Sequence, residues 1–209
     1  GKSPLVISLE MSETEVRNRV FTIMGEGLWS HRKLSAGLVE TDDLRRWHGK
    51  ELAGKPEFHI ISNDGGGEVT PSVIRGKIDQ YKPDLVILDY HQLFNDSSGA
   101  KSEVERNRNI SRDFKLLAMR NNIPVIDITA ATMDDVSDQD SPPMLSQVAW
   151  SKAIEYDADM AIAIHKNPQS NIMEIVSRKN RHGTDFAFYL DWDLNRGVVN
   201  EIYEMDIQQ

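Results

Sequence analysis

Asp84-Leu85-Val86-Ile87-Leu88-Asp89-Tyr90 is a short aliphatic run closed by an acid. Four apolar residues in a row, without polar alternation, describe a strand buried on both faces, the condition of a strand inside a parallel sheet. Short β-rich apolar runs recur at 5–9, 58–61, 125–128, 160–164 and 172–176, most of them with the look of strands buried on both faces. Helical stretches separate the runs of the first half. That alternation predicts an α/β domain whose parallel sheet is covered by helices on both sides.

The helices announce their starts. Ser12 and Glu15 have the spacing of a capping box, ahead of Val16, Val20 and Ile23 on one face, so a strand, a turn and a helix follow one another directly. Thr70-Pro71 marks a second start, with Ile74, Ile78 and Tyr81 at helical spacing and Pro83 as the stop. A third helix carries Ile110, Phe114 and Leu117. Beyond residue 158 the pattern changes to strands without long helices, at 159–164, 172–177, 186–192 and 199–203. The turns Asn167-Pro168 and His182-Gly183 punctuate them, which predicts antiparallel additions.

With 209 residues and 39% apolar content, the chain can bury one sizeable core, so one domain over 1–209 is expected. The 24 basic and 33 acidic residues leave a net charge of −9, which excludes a surface that attracts nucleic acid everywhere but leaves room for a local DNA track. There is no cysteine, hence no disulfide framework and no thiolate metal site. The six histidines are scattered without the spacing of a zinc site. No apolar run reaches the roughly 20 residues needed to cross a bilayer, and no secretory signal opens the chain, so a soluble, cytoplasmic protein is expected.

Two acids carry the chemical reading. Asp89 ends its strand as a Walker B carboxylate does, where it can hold a magnesium ion on a bound nucleotide. Glu10, in Ser8-Leu9-Glu10-Met11, falls at the same carboxyl edge of the sheet, where open α/β folds bind ligands. One acid could serve the metal and the other polarise an attacking water. The plainer alternatives are a loop aspartate and a residue leading into the Ser12 cap. Asp64-Gly65-Gly66-Gly67 reads as a flexible turn rather than a phosphate cradle.

The strings SLEM (8–11), DLVILDYHQL (84–93), IPVIDIT (123–129), IEYDAD (154–159) and SRKNRHG (177–183) occur in this order over nearly the whole chain. Together they resemble the motif series of DnaB-type replicative helicases. The resemblance implies a RecA-like P-loop NTPase core with an antiparallel C-terminal extension. It also implies ATP and Mg2+ as ligands, and a homo-oligomer, commonly hexameric, that moves on single-stranded DNA. Primase and a helicase loader are the further partners it suggests. Glu10 then matches the catalytic glutamate, Asp89 the metal-holding Walker B aspartate with Tyr90 beside it at the nucleotide, and Lys179 and Arg181 the basic pair that reaches into a neighbouring subunit's site.

The chain also departs from that pattern. Ala130 stands where the family usually has a polar residue, commonly Gln, that senses the terminal phosphate, so either Thr129 or Thr132 takes over that task or the coupling between nucleotide and DNA is altered. Residues 121–151 contain no Lys or Arg, while Asp134, Asp135, Asp138 and Asp140 cluster there, an odd lining for a DNA channel. Ala149-Trp150-Ser151-Lys152 replaces the family's Arg-Glu-Ser-Gly. Lys152 can still meet a phosphate and Trp150 a base; Arg106 and Arg108, on the third helix, form the other candidate DNA track. Divergence of these loops from the cellular pattern suggests a phage source and an infected host's cytoplasm.

Gly1-Lys2-Ser3 imitates the end of a phosphate-binding loop, but Pro4 and a strand follow where that loop needs a helix. The first strand and the phosphate loop of the family are therefore expected upstream of this sequence. Two rivals stand beside the helicase: a RecA-like recombinase or signalling ATPase, against which Lys179 and Arg181 speak, and a non-catalytic RecA-like assembly or DNA-binding relative that has lost turnover.

Overall fold

The computed structural model describes residues 1–63, 66–131, 141–148, 151–166 and 169–202. Four strands, β1 (Pro4–Ser8), β2 (His59–Ser62), β3 (Leu85–Asp89) and β4 (Val125–Asp127), form a parallel sheet in the order β2-β1-β3-β4. Between β1 and β2 run α1 (Glu13–Met24), α2 (His31–Ser35) and α3 (Thr41–Glu51). α4 (Pro71–Tyr81) leads to β3, and α5 (Glu103–Asn121) leads to β4. From β1 the chain moves to β2 on one side, then crosses back to β3 on the other. Right-handed crossovers accordingly assign α1–α3 to one face of the sheet and α4 and α5 to the other.

The core agrees with that assignment. Leu5, Ile7, Val86 and Leu88 pack with Ile74 and Ile78 of α4 and with Ile110, Phe114 and Leu117 of α5, around a fully buried Phe94. The local signals hold as well. Ser12 and Glu15 make a complete capping box on α1, and the Thr70 hydroxyl caps α4 ahead of Pro71.

The second half folds as α6 (Ser151–Asp157) followed by β5 (Met160–Lys166), β6 (Ile172–Asn180), β7 (Ala187–Asp193) and β8 (Val198–Ile202), an antiparallel sheet in chain order. Here the expectation of strands buried on both faces fails for 125–128 and 160–164. Ile126, Ile128, Met160, Ile162 and Ile164 are all about half exposed. The reason is position: among the described residues β4 pairs only with β3 and β5 only with β6, so each is a sheet edge.

Two sets of contacts tie the halves together. Ser111 and Arg112 of α5 reach Asp157, and Lys115 reaches Asp159, just ahead of β5. At the far end, the β7–β8 turn docks on the first helices: Gly27 and His31 donate their backbone N–H groups to the carbonyls of Arg196 and Asn195, and the Ser30 hydroxyl meets the Asn195 side chain.

A candidate nucleotide site at the carboxyl edge of the sheet

β1 and β3 are neighbours whose crossovers leave in opposite directions, so the crevice beyond their carboxyl ends is a topological switch point, the usual binding place in open α/β sheets. Ser8 and Asp89 lie in register there. The buried Ser8 hydroxyl donates to Asp89 Oδ2 at 2.8 Å and accepts the Met11 N–H at 3.1 Å, while Leu9 N–H reaches the Asp89 carbonyl at 2.7 Å. Asp89 is thereby fixed on β3 and tied to the Glu10 loop. Glu10 stands exposed one residue beyond Leu9, on the same edge. Sequence reasoning found the two acids and missed Ser8, whose only signal was a hydroxyl closing an otherwise aliphatic buried run.

The Asp89–Tyr90 peptide is cis. Tyr90 leads into a single 3-10 turn, His91–Leu93, which runs beside the end of β4. His91 is fully buried. Its Nδ1 pairs with Asp127 Oδ2 at 2.6 Å, and its ring meets Phe114 edge-on. Burial pushes the Asp127 carboxyl above the usual aspartate range, and the His91 hydrogen bond pulls back against that. Next to this pair, Gln92 Nε2 donates to Thr129 Oγ1 at 3.0 Å and to the Ala130 carbonyl at 3.3 Å. Thr129 thus sits beside the Asp89 loop. Neither His91 nor Gln92 stood out in the sequence, since the strand order that brings 91–92 against 127–130 is a tertiary fact.

Lys2 and Ser3 lie at the other edge. Lys2 Nζ and the Ser3 N–H bind the Asp84 carboxylate at 3.1 and 2.8 Å, at the start of β3. The Ser3 N–H, then Lys2, hold that carboxyl below the ordinary range. Neither residue can serve a nucleotide at the Asp89 end, and Pro4 opens β1, so Gly1-Lys2-Ser3 is not the end of a phosphate-binding loop.

Lys179 and Arg181 converge on the end of α6. Lys179 Nζ donates to the carbonyls of Glu155 and, at 2.7 Å, Ala158. Arg181 Nη1 binds Asp159 Oδ1 at 2.8 Å, and its Nη2 the Tyr156 carbonyl at 3.2 Å. Lys115 and then Arg181 lower the Asp159 carboxyl below its normal range. Cations that satisfy the free carbonyls of a helix C-terminus are in a favourable place. The pair is therefore held in a defined position rather than waving in solvent.

Of the DNA candidates, Lys152 at the start of α6 and Arg108 on α5 are exposed. Arg106 turns inward, its Nη2 donating to the Gln92 carbonyl at 3.3 Å. Trp150, Thr132, Asp64 and the acids Asp134, Asp135, Asp138 and Asp140 lie outside the described residues.

The donors at the site are oxygens: the Asp89 carboxylate, oriented by the Ser8 hydroxyl, and the nearby Glu10. This suits a hard divalent cation that keeps waters and shares the phosphates of a nucleotide. Among the described residues no three His, Cys, Asp or Glu side chains are grouped to hold an ion by themselves.

The family described as DnaB-like helicase C terminal domain matches residues 2–196. The chain belongs to that family. Among relatives of this DnaB-like domain is a probable plasmid replicative DNA helicase of Chlamydia muridarum, 36% identical over 189 residues, covering 90% of this chain and 41% of the relative. The replicative helicase DnaB of Geobacillus stearothermophilus is 28% identical over 191 residues, covering 85% and 41%. The DnaB-like chain thus spans about two fifths of the length of these relatives.

Among solved structures, a DnaB-like replicative helicase studied with its interactions with primase superposes with a TM-score of 0.79 at 24% identity, over 95% of this chain and 50% of that one. The RadB recombinase superposes less closely, with a TM-score of 0.56 at 18% identity over 97% and 80%. The fold is therefore RecA-like, and the DnaB-like form of it is the nearer of the two. Among the described residues no helix is long and apolar enough to cross a membrane.

Proposed function

We propose that this chain is the motor domain of a hexameric replicative helicase, hydrolysing ATP between neighbouring subunits to move along single-stranded DNA. The observation that carries the reading is the Ser8–Asp89 hydrogen bond at the switch point, with Glu10 two residues beyond Ser8 on the same edge. Mg2+, when bound with ATP, would neutralise charge on the transferred phosphoryl group. Asp89, steadied by Ser8, would hold that ion through one carboxylate oxygen or an intervening water. Glu10, free of the sheet, would orient the attacking water and accept its proton. Tyr90 and Thr129 would line the nucleotide, and Lys179 and Arg181 would serve the site of the adjacent subunit, where an arginine supplied in trans is worth orders of magnitude in rate.

Among the described residues β4 and β5 are sheet edges, and their unpaired backbone groups favour pairing with a further strand, which in this reading comes from an upstream segment carrying the phosphate-binding loop. The domain would thus be one part of a longer protein. Lys152, Trp150, Arg106 and Arg108 remain the candidate DNA contacts, Arg106 being also bonded to the Gln92 carbonyl. Primase and a loader are the partners suggested by the family, and a phage-infected cell is the proposed setting.

A second reading, a non-catalytic assembly relative, is favoured by one observation: Ala130 offers no side-chain donor where a phosphate sensor is expected. ATP hydrolysis by the full-length protein, with and without single-stranded DNA and with Glu10→Gln as control, separates the two. DNA-stimulated turnover that Glu10→Gln abolishes supports the motor. No turnover under either condition supports the assembly protein.

A further inference from the structure

Ala130 leaves the segment after β4 without the polar side chain a coupling element needs, yet that segment is bound to the Asp89 loop through a residue three positions beyond Asp89. Gln92 Nε2 donates to Thr129 Oγ1 at 3.0 Å and to the Ala130 carbonyl at 3.3 Å, and Gln92 Oε1 accepts the Ala130 N–H at 3.5 Å. A primary amide has the same donor and acceptor pair as a peptide group. Gln92 therefore adds one more rung to the β3–β4 ladder where the two backbones have already separated. The rung is anchored from behind, because Arg106 Nη2 holds the Gln92 carbonyl at 3.3 Å. Immediately below it, His91 N–H donates to the Ile128 carbonyl at 2.7 Å.

One residue past the clamp, Ala131 forms an isolated antiparallel bridge with Val148. This bridge is the neck through which the chain leaves the sheet edge, and it returns three residues before α6, whose far end holds Lys179 and Arg181. A displacement of the Asp89 loop thus has a direct mechanical route, through Gln92, to residues 129–131 and the neck.

We propose that Gln92 is the positioning residue that couples the nucleotide end of β3 to the Ala131–Val148 neck, supplying from β3 the polar link that Ala130 cannot supply from β4. The proposal rests on the helicase reading above and deepens it. Gln92 acts through Thr129 and Ala130 and touches no reacting atom. It makes the response to single-stranded DNA depend on a side-chain amide outside the position where sensing is expected.

The test uses the full-length protein and two variants, Gln92→Leu and Gln92→Glu, with two readouts. The first is the ratio of ATP turnover with single-stranded DNA to turnover without it. Loss of the link should lower that ratio by at least about fivefold in Gln92→Leu, the low end of ordinary coupling between sites. Gln92→Glu, which keeps an acceptor for the Ala130 N–H and loses both donors, should fall between Gln92→Leu and wild type. The second readout is hydrogen exchange of the peptide spanning 129–131 with and without ATP and Mg2+. Wild type should show nucleotide-dependent slowing, and Gln92→Leu should bind nucleotide without it.

A wild-type ratio in Gln92→Leu, together with unchanged nucleotide-dependent exchange, overturns the proposal. Should Gln92→Leu unfold, Gln92→Glu decides: a ratio below wild type upholds the clamp and a wild-type ratio overturns it. A wild-type protein without any DNA-stimulated turnover sinks the helicase reading instead. The exchange readout then still decides the coupling, since it needs only bound nucleotide.

Discussion

Ser8 and Asp89 face each other across neighbouring parallel strands, and the Ser8 hydroxyl closes on Asp89 Oδ2 at 2.8 Å while receiving the Met11 N–H. One buried hydroxyl thus fixes the carboxylate expected at the metal and the first turn of the chain beyond Glu10. Groups that orient a metal-binding side chain without touching the ion commonly change affinity or activity by about 10–100-fold when removed. Ser8→Ala should therefore reduce Mg2+-dependent ATP turnover of the full-length protein by that order. The accompanying loss of stability should be about 1.5–3 kcal/mol, the worth of one hydrogen bond to a charged group. Turnover at several Mg2+ concentrations checks this: a shift in the Mg2+ requirement is expected, and an unchanged requirement would count against the role of Asp89.

His91 and Asp127 form the second buried polar pair of this edge. Replacing His91 by Leu leaves a largely buried carboxylate unpaired, which should cost about 3 kcal/mol at neutral pH. The sign with pH follows from the direction of the Asp127 shift. Its carboxyl already lies above the ordinary range through burial, and losing His91 removes what pulls it down. The folded variant then binds its proton more tightly than the unfolded chain does, so its deficit against wild type should narrow as pH falls from 7 towards 4. Urea unfolding across that range reads it; a deficit independent of pH would mean that Asp127 is not the group left exposed to the cost.

Much of this architecture was legible because its signals are local. The aliphatic runs at β1 and β3, the Ser12–Glu15 box and Thr70-Pro71 each act within a few residues, and each element stands where they indicate. α3 escaped notice because it buries none of its residues, so no apolar stripe marks it, and α6 is too short to show a period. At the site, Asp89 and Glu10 could be read as strand-end acids. Ser8, His91 and Gln92 could not, since their partners Asp89, Asp127 and Thr129 lie 36 to 81 positions away and meet only through the order β2-β1-β3-β4.

Asp159 answers to pH in the opposite sense from Asp127. Lys115, and less strongly Arg181, hold its carboxyl below the ordinary 3.8. A depressed carboxyl contributes stability that is present above the unfolded value and lost as pH falls through the folded one. The gap between wild type and Asp159→Asn should thus be full near pH 6 and close below about pH 4. The carboxylate is half exposed, so water screens the pair and the full effect should be small, about 1–3 °C in Tm. Thermal unfolding at pH 6 and pH 3 checks it, and an equal gap at both would remove the ion pair as its cause.

Arg181 is held against Asp159 and the Tyr156 carbonyl within its own chain, whereas the proposed role is in a neighbour's site. The two are compatible if α6 presents the guanidinium at the subunit boundary. Arg181→Ala should then lower turnover by about a thousandfold, the low end for an arginine supplied in trans, while nucleotide binding persists. Subunit mixing gives the decisive form of the test. An Arg181→Ala chain mixed with a Glu10→Gln chain should regain part of the lost turnover, because some interfaces then join an intact Glu10 to an intact Arg181. Mixtures as inactive as their components would place both residues in one subunit's site.

The docking of the β7–β8 turn on the first helices hangs on Gly197. Its φ of +65° lies in the left-handed region that side chains disfavour. A Cβ there would also stand 2.6 Å from the carbonyl carbon and oxygen of Thr22 and 2.7 Å from the Ile23 nitrogen. These are backbone atoms of α1, so no side chain can rotate out of the way, and the turn itself must lift. Lifting it would break the bonds from Gly27 and His31 to the Arg196 and Asn195 carbonyls. Gly197→Ala should therefore cost about 2–4 kcal/mol, well above the roughly 1 kcal/mol that the left-handed φ alone would impose. Gly37→Ala is the matched control, since Gly37 has a similar φ of +67° and open space around its Cβ position. A difference of at least about 1 kcal/mol between the two variants in denaturant unfolding is the expected result, whereas equal costs would mean that the turn is strained by its own backbone and not pressed against α1.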